Sequence, residues 1–290
     1  PLELPDTDDR RMLLRAAAAA LPGDTARLDA EMLLAHALGA DRLAMLVGSE
    51  GVPGEVRAAF AAMLARRRRH EPVAHIVGLR EFWSLPIRVT ADVLIPRPDS
   101  ETLIAEALAH FAARPPARVL DLGTGSGALL LAALSEWPTA TGLGIDLSAE
   151  TLEVAAGNAA ALGLGARTAF RLGDWGFGLM EQFDLILCNP PYIPDDEELM
   201  PDVARFEPAQ ALFGGEDGMD PYRRLLPDMP RLLAPGGVAI FEFGPGQAGA
   251  LVAMAEAAGL AARVAPDLAG RPRALVATVA KPLGKGGASV

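Results

Sequence analysis

Asn189-Pro190-Pro191-Tyr192 concentrates more chemistry in four residues than any other part of the chain. Two successive prolines fix the backbone and remove two N–H donors. The Pro190 carbonyl and the Asn189 side-chain oxygen are then left as acceptors on one crevice, with Tyr192 as a flat apolar wall. An NH₂ group on a planar system, whether an amide or a nucleobase amine, has two hydrogens to donate and a lone pair withdrawn by resonance. Two acceptors can hold those hydrogens, favour a pyramidal nitrogen and aim its lone pair at a methyl donor. Such catalysis is mostly orientation, which can be worth roughly 7–11 kcal/mol. Asn-Pro-Pro is also simply a turn, so its place directly after the apolar strand expected over Phe183–Cys188 is what gives it weight. Cys188 has apolar neighbours and no His near it in sequence, and reads as a buried strand residue rather than a nucleophile.

A second constellation is Asp121-Leu122-Gly123-Thr124-Gly125-Ser126-Gly127, placed between a strand and a helix. Glycines there let the backbone turn sharply and approach a ligand, and the helix N-terminus presents free N–H groups. Asp146 ends the next strand, where a carboxylate can accept both hydroxyls of a ribose. Gly123-x-Gly125-x-x-Ala128 also satisfies a dinucleotide fingerprint, and a tight turn without a ligand is the plainer alternative. Asp121 would repel a pyrophosphate and attract a cation. Gly173-Asp174-Trp175 adds an aromatic face and a carboxylate after the third strand, where an adenine could lie. S-adenosylmethionine suits this set, having a ribose, an adenine, an ammonium and a sulfonium but no phosphate.

The elements that must position these residues can be traced along the chain. Helical apolar spacing marks Arg10–Leu21, Thr25–Leu38, Asp41–Val47 and Pro53–Arg69. Pro53 and Glu55 suit a first turn. The run Arg66–Arg69 suits a solvated C-terminal helix end or a contact with RNA or an acidic partner. Residues 81–95 look like a short hairpin or extended connector, and Asp99 or Ser100 can cap a helix running to about Ala113. Strands then alternate with helices: Arg118–Asp121, Ala128–Glu136, Gly142–Asp146, Ala149–Leu162, Thr168–Leu172 and Phe183–Cys188. After a long loop come a helix near Asp220–Leu233 disturbed by Pro227 and Pro230, strand Val238–Phe243, helix Ala248–Ala258, and strands Ala262–Ala265 and Ala274–Val279. This order predicts an α/β fold, a doubly wound and mostly parallel sheet covered on both faces. The loop Pro266–Pro272 is too short for a crossover helix, so the last two strands should pair antiparallel. The expected organisation is a helical N-terminal domain over 1–80, a hairpin or linker over 81–98, a catalytic domain over 99–283 and a flexible tail over 284–290.

Composition narrows the function. The chain has 290 residues, 51% hydrophobic and 22% charged, enough for one large or two modest globular domains. No apolar stretch approaches the roughly 20 residues of a membrane span, and no secretory leader opens the chain, so no membrane association is expected. The start at Pro1 suggests that the initiator Met is missing. The single cysteine, Cys188, excludes an internal disulfide and fits a cytoplasmic setting. His36, His70, His75 and His110 show no metal-ligand spacing, so no metal is expected. Residues 1–90 balance twelve Arg against twelve acidic residues, and the whole net charge of −11 falls on 91–290. Phosphate-binding proteins usually carry the opposite sign, so direct nucleic-acid binding is not expected.

With these motifs the chain resembles the class I S-adenosylmethionine-dependent methyltransferases, and within them the release factor glutamine methyltransferase family. The resemblance spans nearly the whole chain. It also rests on Glu71–Trp83, Ile95–Glu101, Phe206–Gly218 and Glu242–Gln247. The glycine loop is common to many methyltransferases, and the Asn-Pro-Pro-Tyr tetrapeptide is shared with enzymes that methylate amino groups of DNA and RNA. The resemblance implies a seven-stranded Rossmann-like catalytic domain and a helical domain that helps engage a release factor. The implied reaction methylates the glutamine of the Gly-Gly-Gln tip, turning S-adenosylmethionine into S-adenosylhomocysteine. It places Gly123, Thr124, Gly125, Ser126, Gly127, Asp146, Trp175 and Asn189 at the cofactor, to which the residue pattern itself adds Asp121 and Asp174. Asn189, Pro190, Pro191 and Tyr192 fall at the substrate, with Asn189, Pro190 and Tyr192 carrying the chemistry. Ser100 stands where Thr is usual, and Arg97 fits either a helix cap or a wall of the site. Three competing readings are a nucleic-acid amino methyltransferase, a noncatalytic partner-binding protein on a cofactor fold, and a dehydrogenase lacking an obvious acid.

Overall fold

The computed structural model describes residues 4–48 and 50–280 and divides into two compact units. The first takes the chain up to Leu79 together with Leu199–Glu207. The second takes Arg80–Glu198 and the chain from Pro208 onward. The tail expected over 284–290 lies outside the described residues.

The first unit is helical: α1 (Arg10–Ala20), α2 (Ala26–Leu38), α3 (Arg42–Val47), α4 (Gly54–Arg67) and α5 (Val73–Val77). The first four lie within two residues of their expected ends, and α5 is too short for an apolar period to register in the sequence. Asp9 caps α1 by accepting from the N–H groups of Arg11 and Met12 at 2.8 and 3.0 Å, and Asp41 caps α3 in the same way. Leu13, Leu33, Leu34, Phe60 and Leu64 fill the core between them. The arginine run is not simply a solvated helix end. Arg66 forks onto the Glu71 carboxylate and holds it below the usual carboxylate range. Arg67 is buried, with Nε donating to Asp29 Oδ2 at 2.7 Å and Nη1 donating to Asp202 Oδ2 at 3.0 Å. The second of these contacts ties Leu199–Glu207 to the helices, although the expected catalytic domain over 99–283 includes that segment.

The second unit begins with the hairpin β1 (Leu79–Phe82) and β2 (Leu85–Arg88). Trp83 and Ser84 both have positive φ, the signature of a two-residue turn of the I′ kind. A single 3₁₀ turn over Pro98–Ser100 leads into α6 (Glu101–His110), and the Ser100 side chain does not cap it as expected. The chain continues through β3 (Arg118–Leu122), α7 (Ala128–Glu136), β4 (Thr141–Asp146), α8 (Ala149–Ala161), β5 (Thr168–Leu172) and β6 (Phe183–Cys188). The helix α9 (Pro201–Phe206) belongs to the first unit. The two prolines split the next helix into α10 (Asp220–Leu225), a 3₁₀ turn and α11 (Met229–Leu232). β7 (Leu233–Glu242), α12 (Ala248–Ala257), β8 (Leu260–Pro266) and β9 (Pro272–Val279) complete the unit. β7 starts earlier than expected because the Pro235-Gly236-Gly237 stretch bulges within the strand instead of preceding it.

The seven strands lie in the order β5-β4-β3-β6-β7-β9-β8, parallel except for β9, which runs antiparallel to both neighbours. Leu122 pairs with Ile145 on one side and Cys188 on the other, and Cys188 pairs with Phe241. That register brings Asp121, Asp146, Asn189 and Glu242 to one carboxyl edge. The chain leaves β3 and β6 in opposite directions, so a crevice opens between them there. Beneath it, Leu120, Leu122, Ile186, Phe241 and Tyr222 are buried in the core.

Candidate active site

The crevice is a cleft of about 140 Å³, partly open to solvent. Its walls include Gly123, Thr124, Gly125, Ser126, Asp146, Trp175, Asn189 and Pro191 from the expected set.

The glycine loop is held from behind. The N–H groups of Gly123 and Thr124 both donate to the Ile145 carbonyl at 2.9 Å, and Gly125 N–H donates to Asp146 Oδ2 at 3.0 Å. Asn158 of α8 donates to the Ser126 carbonyl at 2.8 Å. Gly127, with φ +82°, opens α7. Gly123 has φ +70°, and a Cβ there would lie 3.1 Å from Cζ3 of Trp175. The indole therefore lies over the loop backbone, and a side chain at 123 would have to push it aside.

Asp121 sits below the loop, 1% exposed. Its Oδ2 accepts from the Thr124 hydroxyl at 2.7 Å, while Oδ1 makes no bond of proper geometry with any described residue. Burial pushes its pKa up to about 7 against the pull of the Thr124 hydroxyl and the Leu130 N–H, with the nearby charge of Asp146 adding to the rise. A buried carboxylate oxygen without a partner fits a cationic ligand. The cradle at Gly123 and the carboxylate of Asp146 fit a nucleoside beside it. These groups suit the chemistry of S-adenosylmethionine, with Gly123 and Asp146 lining the cleft and Asp121 buried behind its wall.

Asn189 enters the wall of the same cleft directly from β6. Its Nδ2 donates to the Ser100 hydroxyl at 3.1 Å, so Oδ1 is the end of the amide not spent on that bond. Pro190 is buried. Tyr192 does not line the cleft. Its ring packs against Gly244 and its hydroxyl donates to Glu242 Oε1 at 3.1 Å. Burial pushes that phenol far up, and it stays neutral. Cys188 is buried and its thiol is pushed up likewise, which suits the core and not a nucleophile.

Asp121, Gly127, Pro190 and Asp174 are absent from the walls of the cleft, as Tyr192 is, and Asp174 pairs instead with Arg224 of α10. That partner stands 50 residues further on, where no local pattern announces it. Other wall residues carried no site assignment in the sequence reading: Asp92, Val93 and Leu94 after the hairpin, Thr151 of α8, and Pro208, Gln210 and Ala211. Leu147, an apolar side chain directly after Asp146, is another and is left 60% exposed on the lip. Among the described residues no group of three or more His, Cys, Asp or Glu could hold a metal ion, and no helix is long and apolar enough to cross a membrane.

The chain is similar to known proteins along most of its length. The PrmC N-terminal domain family matches residues 12–78, and a methyltransferase domain family matches 114–252. The release factor glutamine methyltransferase of Rhodospirillum rubrum is 47% identical over 256 residues, covering 87% of this chain and 78% of that protein. Its counterpart in Cereibacter sphaeroides is 47% identical over 269 residues, covering 91% and 94%. Among solved structures, the hMettl16 catalytic domain superposes with a TM-score of 0.56 at 14% identity, covering 74% of this chain and 82% of that one, a likeness of fold alone.

Proposed function

The chain belongs to the release factor glutamine methyltransferase family, and we infer from that membership that it methylates the side-chain amide of the Gly-Gly-Gln glutamine in peptide chain release factors. The observation that carries the reading is the presence of Asn189, its amide oxygen unspent, in the same cleft wall as the glycine loop and Asp146. S-adenosylmethionine, when bound, supplies a methyl group on a positively charged sulfur. Asp121 would meet its ammonium and Asp146 its ribose hydroxyls. Trp175 and the backbone of Gly123–Ser126 would border the nucleoside.

On the substrate side, Asn189 Oδ1 and the Pro190 carbonyl accept the two hydrogens of the glutamine NH₂. Held in this way, the nitrogen gives up conjugation with its carbonyl and presents its lone pair to the methyl carbon. Nothing in this step needs a side chain to change charge before transfer; as the new N–C bond replaces the sulfur–methyl bond the nitrogen becomes cationic, and it then loses one N–H proton to solvent. The work is orientation in a partly dry cleft. Pro191 stiffens the elbow and Tyr192 backs it from behind. The helical first unit is the part we assign to gripping the release factor, which suits the exposed apolar side chains Leu43 and Val47 of α3.

Incubation with a release factor and methyl-labelled S-adenosylmethionine, followed by mass spectrometry, tests the reading. One added methyl on the Gly-Gly-Gln glutamine is expected. Label that appears in nucleic acid offered alongside, and none in the release factor, would overturn it.

A further inference from the structure

Glu242 closes β7, a strand otherwise apolar from Val238 onward, and its side chain is 1% exposed. Both carboxylate oxygens are occupied: Oε1 accepts from the Tyr192 hydroxyl at 3.1 Å, and Oε2 accepts from the Ser100 hydroxyl. The Glu242 backbone carbonyl accepts from the Tyr222 hydroxyl at 2.6 Å, which fixes the strand end. Ser100, 3% exposed, is also the acceptor for Asn189 Nδ2. A continuous line therefore runs from Asn189 through Ser100 to Glu242 and back to Tyr192. It begins and ends in the same tetrapeptide, and it draws on residues 89 and 142 positions apart.

The direction of this line follows from counting protons. A serine hydroxyl has one hydrogen, and an ionised carboxylate can only accept. The Ser100 hydrogen is committed to Glu242, so Ser100 has only lone pairs left for Asn189. An asparagine amide can meet a lone pair with its nitrogen end alone, because its oxygen would oppose acceptor to acceptor. The nitrogen end is thereby pinned at Ser100. Reversing the amide would aim N–H at the N–H of an incoming NH₂ and remove one of the two acceptors on which the reaction depends.

We propose that Ser100 and Glu242 are positioning residues that set the orientation of the Asn189 amide, a hydroxyl whose single proton is committed to a buried carboxylate forcing the amide oxygen to be the end offered to substrate. This rests on the reading of Asn189 as an acceptor for the substrate NH₂. Arg273 of β9 faces the Glu242 carboxyl as a positive charge, while Asp99 ahead of α6 adds a negative one. Burial is the largest influence and raises the Glu242 pKa above the usual carboxylate value, against the bonds from Ser100 and Tyr192 and the charge of Arg273. The commitment of the Ser100 hydrogen therefore holds for the ionised carboxylate, to which both hydroxyls donate.

The chain offers an unusually clean probe, because Asn158 and Asn189 are its only asparagines. Protein labelled with ¹⁵N-asparagine shows just two side-chain NH₂ pairs. Asn158, held by the carbonyls of Arg88 and Ser126, serves as the internal reference. The test compares wild type, Ser100→Ala and Ser100→Thr by steady-state methylation of a release factor, cofactor titration, thermal unfolding and exchange of the labelled amide protons. Ser100→Ala should lower kcat about five- to tenfold, the scale of one hydrogen bond of ordinary net strength. Cofactor affinity should change little, while the melting temperature should fall, because the buried Glu242 Oε2 loses the Ser100 hydroxyl. In the same variant the Asn189 NH₂ pair should exchange faster while the Asn158 pair is unmoved, and Ser100→Thr should restore both kcat and protection. Wild-type kcat in Ser100→Ala, no rescue by Ser100→Thr, or equally fast Asn189 exchange in wild type and Ser100→Ala would each overturn the proposal. Should wild type leave release factors unmethylated, the functional reading fails, and the exchange comparison still decides whether Ser100 holds the amide.

Discussion

Replacing Asp121 by Asn should strengthen the fold and weaken the cofactor site together. The carboxyl is 1% exposed, and burial lifts its pKa from 3.8 to about 7. Because the folded value lies above the unfolded one, the folded chain retains a proton between about pH 4 and pH 7 that the unfolded chain releases. Stability contributed by this group is therefore present in acid, falls as the pH rises through that window, and stays low above it. About three pKa units at roughly 1.36 kcal/mol each put the penalty near 4 kcal/mol at pH 8. Asparagine never ionises, but its NH₂ comes to rest where Oδ1 has no partner, at a cost of about 1–3 kcal/mol. Ligand-free Asp121→Asn should thus be more stable than wild type by about 1–3 kcal/mol at pH 8, with most of the gain gone by pH 5. Denaturant unfolding of both proteins at the two pH values reads this directly, and calorimetric titration should show weaker S-adenosylmethionine binding. A variant no more stable than wild type at pH 8, or one whose advantage is the same at both pH values, would refute the ionised, buried carboxylate. Unchanged cofactor affinity would refute its role toward the ammonium.

Asp146→Ala should weaken S-adenosylmethionine by a few kcal/mol at most, through loss of the ribose acceptor and of the bond from Gly125 N–H, and an unchanged titration would reject that role. Gly123→Ala places a methyl 3.1 Å from the Trp175 ring at φ +70°. A strain of about 1–2 kcal/mol and a displaced indole should lower cofactor affinity about tenfold, measurable by tryptophan fluorescence titration, and wild-type affinity would show that the indole has room to yield. Arg67→Ala leaves Asp29 buried without its partner and should cost the helical unit about 3–5 kcal/mol in denaturant unfolding. A loss under about 1 kcal/mol would mean that the pair behaves as a solvent-exposed one.

The features legible in the sequence were those set by local physics. β5, β6 and α7 were expected at their observed ends, because apolar runs bounded by Gly, Pro and Asp leave little choice of register. The antiparallel β9 followed from the length of one loop. The glycine loop, Asp146 and Asn189 were legible as a site because each follows a strand, and parallel strands deliver their carboxyl ends to one edge. What could not be read depends on partners far along the chain. Asp174 looked like a site carboxylate until Arg224 took it. Ser100 looked like a helix cap, but its hydroxyl serves Glu242 across the sheet. Leu199–Glu207 follows the helical unit because Asp202 meets Arg67, and the hydrophobic pattern does not record that ion pair. An acid closing an apolar strand, as Glu242 closes β7, is the one such feature that the sequence displays.

The most direct test of the account is single-turnover methyl transfer by Asn189→Ala, with saturating release factor and S-adenosylmethionine and with cofactor affinity measured on the same preparation. The account predicts cofactor binding close to wild type and a transfer step slowed by orders of magnitude. Transfer at the wild-type rate, with the Asn189 oxygen gone, would contradict it.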